Sequence, residues 1–578
     1  MLKLVKNRLS WWAVLAAVLF LLVQVICDLN LPALTSDMIN NGVAKGDTNY
    51  IWKIGGEMLI IAGIGLLAAV GNVYFAATQA QKAGAKIRAD VFKKVLSFSG
   101  REIDQFGASS LITRTTNDIL QIQNVLIMLF RMMLMSPLML IGASFMAYQS
   151  EKRLTGVFLV SIPLLLIAIA IVMYLAVPLF KSLQKKIDKI NLTFREGLTG
   201  VRVIRAFRRD DFEQKRFDQA NKDYTQTGVK VFSLVSIMSP VMTLILSGTN
   251  MGIVWFGAQL IGDRSMGVGN LVSFMTYANM ILFSFMMLSM VFVFLPRAQA
   301  AAARINEVLA MPLSIPETKH VTAELTAEQP SSLAFEHVDF RYENAENLAL
   351  SNVDFKAKAG QMVAIIGGTG SGKSTLVNLI PRLYDPTAGE IKVNGVNIAD
   401  ISQENLHEHV SFVQQKAVLF KGTIKSNLQF GDENATEEEM WHALELAQAK
   451  DFVAELPDGL DSVVEQGGDN FSGGQKQRLA IARALMKKAA VYVFDDSFSA
   501  LDFKTDAKLR AGLKQDPVIQ KSVIVIVAQR VSTVTAADEI IVLDEGRVVG
   551  QGTHEELEKH NKTYKEIVDS QLKKGDEH

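Results

Sequence analysis

Cysteine is almost absent from this chain. Cys27 is the only one in 578 residues, which excludes an internal disulfide and any cysteine cluster for a metal. Net charge is absent too: Lys plus Arg number 59 and Asp plus Glu number 59. No excess positive charge marks the chain for nucleic acid, which is bound by clustered basic surfaces. Charged residues are scarce at 20%, against 49% hydrophobic, well to the apolar side of soluble domains. A cleavage signal is also missing. Met1-Leu2-Lys3-Leu4-Val5-Lys6-Asn7-Arg8 precedes an apolar run, but no A-x-A-like site follows, and bulky Ile26 stands before Cys27 where a lipid-modified cysteine needs a small residue. The first run is therefore expected to stay as a membrane helix.

Long apolar runs are what the chain has instead. Six stretches, Trp11–Leu34, Ile54–Ala80, Ile119–Tyr148, Leu154–Phe180, Val231–Ile261 and Val268–Leu295, approach or exceed the ~20 residues that cross a bilayer core. The intervening segments 82–114 and 181–230 are rich in Lys and Arg, whereas the charges of Ser36–Lys53 cancel. Positive charge marks the cytoplasmic side, so six spans that begin inside return the rest of the chain to the cytoplasm. The basic runs suit anionic lipid headgroups. The expected organisation is an α-helical membrane domain (1–312), a polar, proline-punctuated linker (313–330) and an α/β P-loop domain (331–578).

The membrane half offers hints of a ligand. Met128, Met132, Met133, Met135 and Met139 lie on the third stretch. Met275, Met280, Met286, Met287 and Met290 lie on the sixth, interleaved with Phe283, Phe285, Phe292 and Phe294. Unbranched thioethers suit a cavity for varied apolar ligands, and equally serve as membrane-helix filler. Arg131 is an intramembrane charge, a functional candidate by default, unless it sits at cytoplasmic headgroup depth, the reading we favour. Asp28 and Glu57, near the outer ends of the first two spans, either bind a cation or face water.

The second half carries chemistry. The apolar run Gln361–Ile366 reads as a buried parallel strand. It is followed by Gly367, Gly368, Thr369, Gly370, Ser371, Gly372, Lys373 and Ser374, a G-x-x-x-x-G-K-S loop, and then by the helix-compatible stretch Thr375–Ile380. Glycines let backbone N–H groups converge on phosphate oxygens, and the helix N-terminus adds positive potential. Lys373 is expected to reach the outer phosphates and the Ser374 hydroxyl to ligate Mg2+. A second strand, Val491–Phe494, ends in Asp495, placed to act on Mg2+ through water. Between them Phe471-Ser472-Gly473-Gly474-Gln475 opens a helical run.

This ordered series resembles an ABC transporter subunit over about the last 240 residues, with FSGGQ in the signature position. The resemblance implies that Tyr342 stacks on adenine and that Gln415 is the Q-loop residue linking Mg2+ to the membrane domain. It further implies that Ser499, Ala500, Leu501 and Asp502 form the D-loop, and that Thr375 completes the ATP-binding set. Arg101–Asp118 and Val201–Phe217 look like the two coupling regions of exporters with six helices per half, the second docking on the partner's ATPase domain.

Two positions depart from the family. Asp496 stands where a Glu polarises the attacking water, drawing the carboxylate back by about 1.3 Å, and ~1 Å of misplacement can cost ~100-fold in rate. Gln529 stands where a His contacts the γ-phosphate; it donates a hydrogen bond but cannot carry imidazole's charge. Ser472, Gly473, Gly474 and Gln475 are intact, and in ABC dimers this signature completes the site on the opposite chain. The pattern resembles the C-type, degenerate subunit of heterodimeric bacterial multidrug exporters such as LmrCD, BmrCD and EfrCD. It implies a heterodimer with a second ABC half-transporter in a bacterial cytoplasmic membrane, ATP and Mg2+ as cofactors, and a small lipophilic substrate. The same engine would serve a lipid or peptide exporter, or a nucleotide-gated membrane regulator.

Overall fold

The computed structural model describes the backbone of residues 2–315, 321, 323–326, 329–343 and 345–575, with side chains except those of 2–3, 289–293 and 572–575. The side chains of Met290 and Phe292, and several residues of 313–330, lie outside the described set. The chain forms two compact units, Met1–Leu96 with Gly107–Met311, and Ser97–Phe106 with Pro312–His578.

In the first unit, six described helices are long and apolar enough to cross a membrane: Trp11–Val43, Thr48–Leu96, Ala108–Ser150, Leu154–Thr199, Asp210–Gly262 and Val268–Leu288. Most outrun the apolar stretches read from sequence. Thr48–Leu96 has 49 residues, and at ~1.5 Å per residue it reaches about 74 Å, more than twice a ~30 Å hydrocarbon core. Hydropathy sees only the portion meant for lipid; the charged remainder stays helical because Ala, Lys, Gln and Arg are good helix formers. Arg131 lies 19 residues before the end of a helix that closes at Ser150, about 28 Å along its axis, a separation close to one hydrocarbon-core thickness. Its side chain is exposed, on a π-helical turn at Leu129–Met133. Asp28 and Glu57 are partly exposed.

Polar ties hold these helices where burial from water cannot. Tyr277 donates to Leu29 O at 2.9 Å, and buried Asn72 donates to Ala17 O at 2.9 Å and Phe130 O at 3.3 Å. Arg304 grips the buried carboxylate of Asp118 with two bonds of 2.8 and 2.5 Å. Arg114 donates to Glu307 at 2.7 Å beside it.

The stretches expected to be coupling regions, Arg101–Asp118 and Val201–Phe217, are subdivided. Gly100–Phe106 and Val201–Ala206 are separate short helices, and a break at Thr116 divides Ala108–Thr115 from the helix that follows. Positive φ at Gly107 (74°) and Arg208 (50°) breaks the chain after the two short helices, and the residues beyond enter long helices. Gly100–Phe106 belongs to the second unit although it lies within 1–312. Its Glu102 is fully buried and accepts from Ser99 N at 2.7 Å, Ser99 Oγ at 2.6 Å, Ser314 N at 2.8 Å and Ser314 Oγ. Burial pushes this carboxyl up, but the four donors outweigh it and hold it at about 2. Within the interval 313–330, the described Leu325 is buried in the core, and its N–H donates to Asn405 at 2.8 Å.

The rest of the second unit carries two larger sheets and a two-stranded one that pairs Gly422–Thr423 with Val463–Val464. An antiparallel sheet has order β2-β1-β4-β5, with β1 Ser332–Phe340, β2 Leu350–Lys358, β4 Ala388–Val393 and β5 Val396–Asn397. A six-stranded sheet has order β10-β9-β3-β8-β7-β6. Its strands are β3 Met362–Gly367, β6 Val410–Val413, β7 Val491–Asp495, β8 Val523–Val527, β9 Glu539–Asp544 and β10 Arg547–Gly552. All but β10 run parallel. Their unbroken Val/Ile runs suit a sheet buried on both faces, and β3, β7 and β8 lie at its centre. The loops at their carboxyl ends are therefore brought together, where open α/β sheets bind ligands.

Candidate nucleotide site and membrane cavity

The loop after β3 leads into α1 (Lys373–Leu379), with Gly370 at φ 83° and Gly372 at φ 98°. A side chain at Gly372 would be strained by that φ and would meet Ala349 O at 2.9 Å. The Lys373 ammonium donates to Gly367 O at 2.9 Å and Gly368 O at 2.6 Å, curled into its own loop. Ser374 Oγ donates to Asp495 Oδ1 at 3.0 Å. Burial lowers the Lys373 pKa while Asp496 and Asp495 oppose the fall. Burial also raises Asp495, against the Ser374 bond. Tyr342 OH bonds Thr375 Oγ1 at 3.0 Å, and its half-exposed ring meets Tyr384 edge-on at 5.6 Å. Ser371 is buried, and Thr369 with its flanking glycines is exposed or nearly so.

Asp496 follows β7 in a left-handed conformation, φ 48°, which Asp tolerates better than most residues. Its N–H is held by Val527 O at 3.1 Å, and its carbonyl accepts from Ser499 Oγ at 2.8 Å. The carboxylate is buried, and one oxygen, Oδ2, accepts both Gln415 Nε2 at 3.1 Å and Gln529 Nε2 at 2.8 Å. Burial raises its pKa; the two amides pull it down. The structure thus brings Lys373, Ser374, Gln415, Asp495, Asp496 and Gln529 into one cluster at the ends of β3, β6, β7 and β8.

The segment Ser472–Gln475 is bonded to itself instead. It opens α2 (Gly473–Leu485) through a capping box, Gln475 N donating to Ser472 Oγ at 3.3 Å and Ser472 N to Gln475 Oε1 at 2.9 Å. Ser472 and Gly473 are exposed, and nothing stands within 4 Å of a Cβ built on Gly473. A Cβ on Gly474 would come 3.4 Å from Ala500 O, so this segment and Ser499–Asp502 are neighbours. Leu501 is buried, and Asp502 caps α3 (Phe503–Gln515), accepting from Thr505 N at 2.9 Å.

Sequence reading missed Arg530. Its guanidinium donates to Ser499 O at 3.2 Å and Leu501 O at 3.4 Å and lies over the Phe503 ring at 5.1 Å. An arginine beside Gln529 in a strand-end loop was the available signal.

The first unit holds a cavity of about 650 Å³ lined by Met135, Met139, Met242, Met280, Met287 and Phe283, with Leu165 from the fourth span. The thioethers of the third and sixth spans therefore converge, and spans four and five close the wall. Met128, Met132, Met133 and Met275 do not line it.

Residues 14–286 match the ABC transporter transmembrane region and residues 350–499 match the family described as ABC transporter. An uncharacterized ABC transporter ATP-binding protein of Mycobacterium tuberculosis is 40% identical over 99% of this chain and 98% of its own length. One of Bacillus subtilis is 37% identical over 96% of each. A solved structure described as a bacterial Atm1-family ABC exporter with ATP bound has the same fold, at TM-score 0.80 and 24% identity over 97% of this chain and 98% of that one. With six membrane helices and a cytoplasmic ATPase domain built on this fold, the chain belongs to the ABC transporter family.

Proposed function

We propose that this chain is one half of a heterodimeric, ATP-driven exporter of lipophilic compounds. It holds ATP in a slow site of its own and lends Ser472–Gln475 to the catalytic site of a second ABC half-transporter. The observation that carries this is the state of Asp496. Its side chain is one methylene shorter than the expected Glu, and one of its oxygens already accepts two amide donors. A general base must present a lone pair to water, and each such bond also lowers basicity. The exposed Ser472–Gly473 end of α2 has the opposite character, open to a nucleotide brought by another chain.

In this reading Lys373, the N–H groups of the 367–374 loop and the α1 N-terminus bind the phosphates, and Tyr342 stacks on the base. The Ser374 hydroxyl and the Asp495 carboxylate, 3.0 Å apart, with Gln415 nearby, form a hard oxygen donor set that fits Mg2+, which keeps several waters and takes few protein ligands. When bound, that cation offsets charge on the β- and γ-phosphate oxygens.

A partner-docking role for Val201–Phe217 is supported by exposed Val203 and Phe207. The second unit has a complementary groove of about 390 Å³, where Phe420 and Phe430 stack at 4.5 Å, both exposed, beside Arg483. The partner's groove would receive this chain's segment, and this groove the partner's. The methionine-lined cavity supports an apolar, shape-tolerant substrate.

The test is co-expression with the neighbouring reading frame, purification of the pair and lipophilic dye transport in vesicles. Asp496→Asn is expected to leave most transport intact, whereas replacing the partner's matching Glu by Gln nearly abolishes it. Equal losses would contradict the assignment.

A further inference from the structure

The C-terminal helix α5 (Lys562–Gly575) packs one face on the second unit: Tyr564 and Val568 are buried. Gln571 follows them at i+7 and i+3, so a polar side chain continues the buried stripe. The adjoining backbone is the loop between β8 and the short helix α4 (Val531–Val534). There Gln571 Nε2 donates to Gln529 O at 2.7 Å, and Val531 N donates to Gln571 Oε1 at 2.8 Å. Arg530, between them, is extended at φ −98° and ψ 132°. In an extended residue the preceding C=O and the following N–H face the same edge, so one side-chain amide satisfies both, as a neighbouring strand would.

The consequence reaches the nucleotide site by two arms. Fixing the peptides on either side of Arg530 fixes the direction of the Gln529 side chain, which bonds Asp496 Oδ2. It also fixes Arg530, which holds the carbonyls of Ser499 and Leu501. We propose that Gln571 is a positioning residue for the ATPase reaction: its amide sets the loop that carries Gln529 and Arg530, so the end of the chain governs how the site meets the γ-phosphate. This rests on the reading that Gln529 faces the γ-phosphate.

The experiment uses the full-length protein in lipid nanodiscs with Gln571→Ala, Gln571→Glu and Gln529→Ala. Amide exchange at Val531 is followed by residue-resolved mass spectrometry, and affinities for fluorescent ATP and ADP are measured side by side. Gln571→Ala is expected to speed exchange at Val531 about tenfold, as loss of a shielding hydrogen bond does, with β8 unchanged. It is expected to lower the ATP-to-ADP affinity ratio severalfold, as Gln529→Ala does, while ADP binding stays constant. Gln571→Glu keeps the acceptor for Val531 N but sets an oxygen against Gln529 O, so exchange at Val531 stays slow and the ratio still falls. Unchanged exchange at Val531 in Gln571→Ala overturns the inference. Faster exchange with an unchanged ratio, while Gln529→Ala lowers it, overturns the role in the site and leaves the γ-phosphate reading standing. An unchanged ratio in Gln529→Ala removes that reading and this inference with it.

Discussion

The two candidate sites of this protein are built on opposite principles. In the nucleotide site nearly every side chain has a fixed hydrogen-bond partner, from Lys373 on its own loop to Asp496 between two amides. In the membrane cavity the lining is mostly thioether and aliphatic surface with Phe283, interspersed with hydroxyls and the Asn279 amide. The first recognises a ligand of constant geometry, where donors must sit within a fraction of an ångström. The second gains from adaptability, because an unbranched side chain re-packs around different shapes at low cost. Under the proposed function, constancy in the one site and tolerance in the other would let a single engine drive varied cargo.

The comparison can be broken most forcefully at Gly474, whose Cα faces Ala500 O and open space. In the assembled pair Gly474→Asp sets a carboxylate against a polyphosphate. Repulsion at ~4 Å and an effective dielectric of ~20 is about 4 kcal/mol, nearly three decades in an equilibrium constant. Hydrolysis is expected to collapse while photolabelling of this chain's own Lys373 site persists; retained hydrolysis would show that the segment completes no active site.

A smaller effect is expected at Glu102, which ties Ser99 to Ser314 within the second unit. Glu102→Gln replaces an acceptor by an NH2 group facing donors and is expected to cost about 2 kcal/mol, read as a fall in the denaturation midpoint of the full chain. Because the folded carboxyl lies at about 2 against an ordinary 4.5, its stabilisation is complete above the unfolded value. It is lost as pH falls from 4.5 toward 2. The wild-type advantage over Gln should shrink over that window; a constant difference would mean that the charge is not what matters.

The smallest effect belongs to the cavity. Met280→Ala removes one adaptable wall and is expected to weaken dye binding about fivefold, roughly 1 kcal/mol, with ATP affinity unchanged. Equal loss for every dye tested would argue for a rigid, shape-specific pocket.

How far each region was legible in the sequence follows from the same contrast. Lys373, Ser374 and Asp495 sit in contiguous motifs because phosphate geometry dictates residue type and spacing, and the structure clusters them. The six spans were legible from hydropathy, though their water-side extensions were not. Met135, Met139, Met280 and Met287 were visible as a thioether pattern, whereas Leu165 and Met242 look like any apolar residue until the helices pack. The breaks after Gly100–Phe106 and Val201–Ala206 depend on single positive-φ residues, one of them Arg208, which carries no turn signature. Gln571 was illegible because its partners are backbone groups about 40 residues away, which have no side-chain code.

The central claim is that this chain's own site binds ATP but turns it over slowly because of Asp496 and Gln529. The most direct measurement compares ATP binding and hydrolysis by the purified full-length chain with those of Asp496→Glu combined with Gln529→His. The account predicts similar ATP affinity in the two proteins and hydrolysis at least about tenfold slower in the unsubstituted chain. Hydrolysis by the unsubstituted chain as fast as by the double variant would contradict it.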